Sequence, residues 1–134
     1  SLCDWSSDVC SSDLSIISYS NEVKENILLV NHENIIQNGA VSEAVVIDMA
    51  KGALKQLNST YTIAVSGIMG PDGGSVEKPV GTVWVAVGNQ NKITTKQFHF
   101  RFERIKNIQL TAMNAFNLLR TFIIDQRQIE SIKL

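Results

Sequence analysis

Two isolated cations and one glycine-rich connection are the residues of this chain whose types and spacing could do chemistry. Lys24 follows Tyr19-Ser20-Asn21 at the start of a helical stretch, and Arg104 opens the last one. A cation in a first turn works against the helix dipole. Surface helix design therefore explains neither residue, and an anion bound nearby would explain both. A lone lysine is otherwise a solvated side chain. Between them lies Ser66–Thr82, which holds five of the eight glycines and both prolines. Glycine lets backbone N–H groups approach a ligand with no Cβ in the way. The stretch is a candidate site for an anionic or carbonyl-bearing small molecule.

The common fingerprints fail. Lys78 is followed by Pro79, so the loop is not G-x-x-x-x-G-K-[ST], and the chain has no G-x-G-x-x-G. A G-x-S-x-G elbow is absent as well. His32 and His99, the only histidines, lack the clustered partners of a zinc site. Without a metal or a hydrolase elbow, the chemistry rests on the glycine loop, Lys24, Arg104 and the Tyr-Ser-Asn turn.

The elements that must position these residues are legible in outline. Thr62–Val65 leads into the loop and Val80–Val87 leaves it; both are short and β-branched, so they predict buried strands. Ser15–Tyr19 predicts a short strand, with Ser20 or Asn21 capping a helix over Glu22–Leu29. Asn31–Gln37 predicts a second helical piece stopped by Asn38-Gly39. Ser42 then caps Glu43–Leu57, with Val46, Ala50, Ala53, Leu54 and Leu57 on one face. Gly52 inside it predicts close packing against a strand. Gly88–Asn91 reads as a hairpin turn, and Ile93–Phe102 as a strand in which Phe98, Phe100 and Phe102 face the core. The last helix spans Glu103–Phe122, with Ile105, Ile108, Ala112, Ala115, Phe116, Leu119 and Phe122 as its buried stripe. Residues 125–134 read as a polar C-terminal tail or a frayed helical end.

Length and composition bound the rest. The 134 residues suit one domain, and 44% hydrophobic content suffices for a core. A net charge of −1 with no run of Lys or Arg argues against nucleic-acid and membrane-surface partners. No apolar run approaches the ~20 residues of a membrane span. Residues 1–14 are polar and acidic, unlike a secretory signal. A cytoplasmic location is expected.

Residues 3–14, Cys3 to Leu14, have no helical or strand period and repeat Ser-Ser-Asp. Asp4 to Leu14 match one translated frame of a common short-read sequencing adapter. The segment is expected to be non-native and is set aside, together with its cysteines, Cys3 and Cys10. The chain then reads as a fragment whose true N-terminus has been replaced.

Three motifs in order carry a family resemblance: Tyr19-Ser20-Asn21-x-x-Lys24, Gly39-Ala40-Val41-Ser42, and Ser66-Gly67-Ile68-Met69-Gly70-Pro71-Asp72-Gly73-Gly74-Ser75 continuing through Lys78-Pro79-Val80-Gly81-Thr82-Val83. The chain resembles the C-terminal domain of the competence-damage-inducible protein CinA, a family whose stand-alone form is the nicotinamide-nucleotide amidase PncC. The likeness covers Ile16 to about Ile123. It implies a three-layer α/β/α domain (residues 15–124) around a mixed sheet, here without the first strand and helix.

The resemblance also implies a reaction. The family hydrolyses the carboxamide of nicotinamide mononucleotide to nicotinic acid mononucleotide and ammonia, with no metal or organic cofactor. It uses a serine–lysine pair, and Lys24 matches the lysine. The serine belongs to a Glu-Ser-Cys-Thr-Gly-Gly-like motif that this sequence does not contain; Ser11, Ser12 and Ser15 lack its context. Tyr19 would orient the lysine or the substrate. Ser66 and the N–H groups of Gly67–Gly70 are candidate oxyanion donors, each worth about 3 kcal/mol. Gly73, Gly74, Lys78 and Asn21 would line the substrate pocket, with a pure capping role equally open for Asn21. Arg104 stands where the family has Gly-Asp-Arg, here Phe102-Glu103-Arg104, and would meet the 5′-phosphate. A homodimer is expected, and the chain as written is expected to lack amidase activity. The competing reading is a non-catalytic nucleotide-binding or interaction domain of a longer CinA protein.

Overall fold

A computed structural model describes residues 14–133, so the adapter-like segment lies almost wholly outside the described residues. The order is α1 (Asn21–Asn26), α2 (His32–Asn38), α3 (Glu43–Leu57), β1 (Thr62–Gly67), β2 (Thr82–Gly88), β3 (Ile93–His99) and α4 (Arg104–Ile132). The caps follow local chemistry. The Ser20 hydroxyl accepts from Val23 N, Asn31 from Glu33 N and Ser42 from Val45 N. Gly39 closes α2 at φ 76°, a backbone setting that favours glycine.

The three strands form one sheet in the order β1-β2-β3, and both pairings are antiparallel. Thr62 faces Gly88 and Gly67 faces Val83; Thr82 faces His99 and Gly88 faces Ile93. The mixed pairing implied by the resemblance is not seen among the described residues. Three layers are. The period-2 alternation of β2 sends Val83, Val85 and Val87 toward α4, with Ala115 and Phe122. Ala86 and Trp84 face the other way, onto a core of Val45, Val46, Met49 and Ala50 from α3, with Leu28, Val30 and Ile35. Strand β2 is therefore buried on both faces, as its continuous apolar run requires.

Several expectations change. Ser15–Tyr19 is not a strand. A groove of about 750 Å³ is lined by this segment and by β1, so no backbone ladder closes between them. Helix α1 ends at Asn26 rather than Leu29, where Leu29 adopts φ 56° and Val30 N turns back to the Lys24 carbonyl. Lys24 therefore stands in the last turn of a six-residue helix, and the dipole argument does not apply to it. Gly52 packs against the chain after α1, not a strand: a Cβ there would lie 1.9 Å from the Leu28 carbonyl oxygen. Strand β3 stops at His99, and Phe102 is exposed.

Helix α4 continues to Ile132 with a rotated buried face. Asn107, Thr111, Ala115 and Phe122 are its buried residues, whereas Ile105, Ile108 and Phe116 are exposed. The first turns pack on the backbone of the glycine loop, where a polar donor fits and an isoleucine does not.

Candidate functional site

The glycine loop connects β1 to β2, and its neck is fixed by backbone bonds. Ile68 N donates to Thr82 O at 2.9 Å, Gly81 N to Ile68 O at 2.6 Å and Phe100 N to Gly81 O at 2.9 Å. Gly81 is obligatory there: its φ is +93°, and a Cβ would sit 1.6 Å from the Phe100 carbonyl oxygen. Above the neck, residues 71–77 are exposed. Among the described residues, the N–H groups of Gly73 and Gly74 donate to no protein atom.

Helix α4 holds one side of this loop. Arg104 Nη1 donates to Gly70 O at 2.9 Å. Asn107, fully buried, donates through Nδ2 to Met69 O at 3.0 Å and to Phe102 O at 2.9 Å, and accepts from Phe102 N at 3.2 Å. Thr111 Oγ1 backs it by donating to Asn107 O at 2.7 Å. Arg104 is the first residue of α4, as expected, and the N-cap Glu103 makes no side-chain capping bond. The free N–H groups of that first turn and the remaining donors of the Arg104 guanidinium lie beside the loop and suit an anion.

The turn after α2 holds the other side. Ser66 Oγ, on β1, donates to Ala40 O at 2.7 Å. Ser42 Oγ donates to Gly39 O at 2.9 Å. Lys78 Nζ donates to Asn38 O at the end of α2, where a cation complements the helix dipole. A local turn holds Lys78: Ser75 N donates to Lys78 O at 2.9 Å, and Lys78 N to Ser75 Oγ at 3.0 Å. The glycine loop and the Gly39–Ser42 motif, 26 residues apart at Ser66 and Ala40, are thus one structural unit.

Lys24 is set apart from these contacts. Its side chain is 6% exposed, and Nζ donates to Ser18 O at 2.8 Å. Among the described residues it has no carboxylate partner. Burial therefore holds its pKa below the usual 10.5, because desolvation disfavours the ammonium form. A lowered pKa raises the share of neutral amine at any given pH. Tyr19 is 96% exposed, and Asn21 is exposed at the first position of α1, with Ser20 taking the capping role.

Of the expected site residues, then, Ser66, Gly67, Gly70, Gly73, Gly74, Lys78 and Arg104 belong to or touch one loop assembly. Lys24, Tyr19 and Asn21 lie on the α1 segment, with no hydrogen bond to that loop among the described residues. Asn107 escaped the sequence reading. Its signal was a polar residue four positions before Thr111, a spacing that puts both on one helical face. No described group of three or more His, Cys, Asp or Glu side chains is placed to hold a metal ion. No described helix is long and apolar enough to cross a membrane.

Known proteins resemble this chain in sequence and in fold. Residues 6–123 match the family model of the CinA C-terminal domain. That match begins inside the segment set aside as foreign. A CinA-like protein of Fervidobacterium nodosum is 48% identical over 110 residues, covering 82% of this chain and 27% of that protein. The nicotinamide-nucleotide amidohydrolase PncC of Escherichia coli strain K12 is 57% identical over 70 residues, covering 52% of this chain and 42% of that protein. The chain thus spans less than half the length of either relative. Among solved structures, the competence/damage-inducible protein CihA from Agrobacterium tumefaciens superposes with a TM-score of 0.75 at 34% identity, covering 77% of this chain and 64% of that one. The competence damage-inducible protein A from Klebsiella pneumoniae superposes with a TM-score of 0.73 at 35% identity, covering 76% and 63%. Family model, relatives and solved structures agree, and the chain belongs to the CinA C-terminal domain family.

Proposed function

We propose that this chain carries the lysine and the substrate loop of a nicotinamide-nucleotide amidase. The observation that carries the reading is Lys24: buried, bonded to Ser18 O, without a carboxylate partner, and biased by desolvation toward the neutral amine. Its support from relatives is the 57% identity to a nicotinamide-nucleotide amidohydrolase.

An amide is a poor electrophile, so its hydrolysis needs an activated nucleophile and a site for the oxyanion. In this reading Lys24 accepts the proton of a serine hydroxyl, and the serine oxygen adds to the carboxamide carbon. N–H groups of the Gly67–Gly74 loop that have no protein acceptor donate to the oxyanion. The C–N bond then breaks, ammonia departs with the proton returned by Lys24, and water hydrolyses the ester to nicotinic acid mononucleotide. Arg104 and Lys78 receive the 5′-phosphate, while Tyr19 and Asn21 close over the nicotinamide end. Ser66 spends its proton on Ala40 O, so its role is to hold the turn against the loop. The reading requires no metal or organic cofactor, and places the protein in the cytoplasm as a homodimer.

A second reading, nucleotide binding without hydrolysis, draws on the longer CinA-like relatives, of which the chain covers 27% in Fervidobacterium nodosum. Both readings require the pocket. The test is an amide NMR titration of the chain with nicotinamide mononucleotide and with its riboside. Saturable shifts at Lys24, Gly67–Gly74 and Arg104, weaker for the riboside, are expected. Absence of saturable shifts at those residues overturns both.

A further inference from the structure

A second concavity lies at the opposite end of the sheet. It measures about 570 Å³ and is lined by α3 on one side and the β2–β3 hairpin on the other. Strand β2 runs from Thr82 beside the glycine loop to Gly88 beside this hairpin. At about 3.3 Å per residue the two places are roughly 20 Å apart.

The lining has a consistent chemistry. Ile47, Leu54 and Ile93 give it an apolar floor, and Lys51, Lys55 and Lys92 ring it. Lys51 and Lys55 follow Ile47 at four-residue spacing, which sets all three on one helical face. Both walls are held by their own bonds. Asn89 N donates to Lys92 O at 2.9 Å, and Asn89 Oδ1 accepts from Asn91 N at 2.9 Å and Lys92 N at 3.0 Å. No carboxylate lines the cavity. The acids nearest along α3 are committed elsewhere: Asp48 accepts from Asn31 N and Asn34 Nδ2, and Glu43 accepts from Thr95 Oγ1. Among the described residues none of the three ammonium groups has a hydrogen-bond or ion-pair partner. Three cations line one cavity without a counter-charge, and a bound dianion would supply one.

We infer that this cavity binds an organic phosphate with a flat apolar body, the phosphate among Lys51, Lys55 and Lys92 and the body on Ile47, Leu54 and Ile93. Its volume falls in the range of small-molecule sites. The carboxamides of Gln90 and Asn91 at the rim add donors for polar substituents. The inference is independent of the amidase reading, since it uses neither Lys24 nor the glycine loop.

The test is an amide NMR titration of the full chain with 1-naphthyl phosphate, alongside 1-naphthol and inorganic phosphate. Saturable shifts are expected at Lys51, Leu54, Lys55 and Asn89–Ile93. Each half-molecule should bind at least tenfold more weakly. The variant K51Q/K55Q/K92Q changes only exposed side chains; it should keep the amide spectrum elsewhere and lose at least tenfold in affinity for 1-naphthyl phosphate. Unchanged affinity in that variant, shifts confined to the glycine loop, or no saturable shift would each overturn the inference.

Discussion

The carboxamide of Asn107 donates to the Met69 carbonyl at 3.0 Å, joining the interior of α4 to a loop 38 positions earlier in the chain. The same side chain holds both backbone groups of Phe102, just before the helix begins. The start of α4 and the neck of the glycine loop are therefore fixed to each other through one buried amide, and Arg104 is carried with them. Replacing Asn107 with Leu leaves the part-buried Met69 and Phe102 carbonyls without this donor. A loss of about 3 kcal/mol is expected, since each buried polar group left unpaired costs about 1–3 kcal/mol. Urea denaturation of the two chains measures it, and a loss below about 1 kcal/mol would mean that the loop relaxes to find other donors.

Lys24 makes a prediction about pH. Its pKa in the folded chain lies below the unfolded value of 10.5, with desolvation the cause. Below the folded pKa both states hold the proton, and folding carries the full penalty of burying the ammonium. Between the folded pKa and 10.5 the unfolded chain binds more protons than the folded one, so stability rises with pH in that window. The Lys24→Met variant should lack this rise. Denaturation midpoints measured from neutral pH up to 10.5, as differences between the two chains, check the sign; a difference that does not change with pH contradicts the buried lysine.

Ser66 separates two roles. Its hydroxyl donates to Ala40 O at 2.7 Å in a buried position. If it holds the turn, Ser66→Ala costs about 1–2 kcal/mol of stability through the unpaired carbonyl. In a catalytically competent form of the chain, kcat should then fall less than tenfold. A fall of about 10²–10³ with stability unchanged would instead mark an oxyanion donor.

The sequence made the loop assembly legible because glycine, proline and capping residues act locally. Gly39 stops α2, Ser42 starts α3, and Arg104 opens α4 where the sequence placed it. What it left hidden depends on tertiary partners. Ser15–Tyr19 has strand composition but forms no strand. Ile105, Ile108 and Phe116 follow the helical period yet face outward, because Asn107 takes the contact with the Met69 carbonyl and Thr111 the contact with the Met69 sulfur. Lys24 stood out for a dipole argument that the short α1 removes; its burial, which no single residue type reveals, is what distinguishes it.

Lys24, as we propose, is the base of an amidase whose serine comes from a Glu-Ser-Cys-Thr-Gly-Gly segment. The most direct measurement is ammonia release from nicotinamide mononucleotide. Three proteins are compared: the chain as it stands, the chain with residues 1–14 replaced by a segment that carries this motif, and the replaced chain carrying Lys24→Met. Release by the second protein alone is predicted, with Lys24→Met lowering kcat by about 10²–10⁴, the usual contribution of a positioned base. Equal release from the second and third proteins, or release from the first at the rate of the second, would contradict the claim.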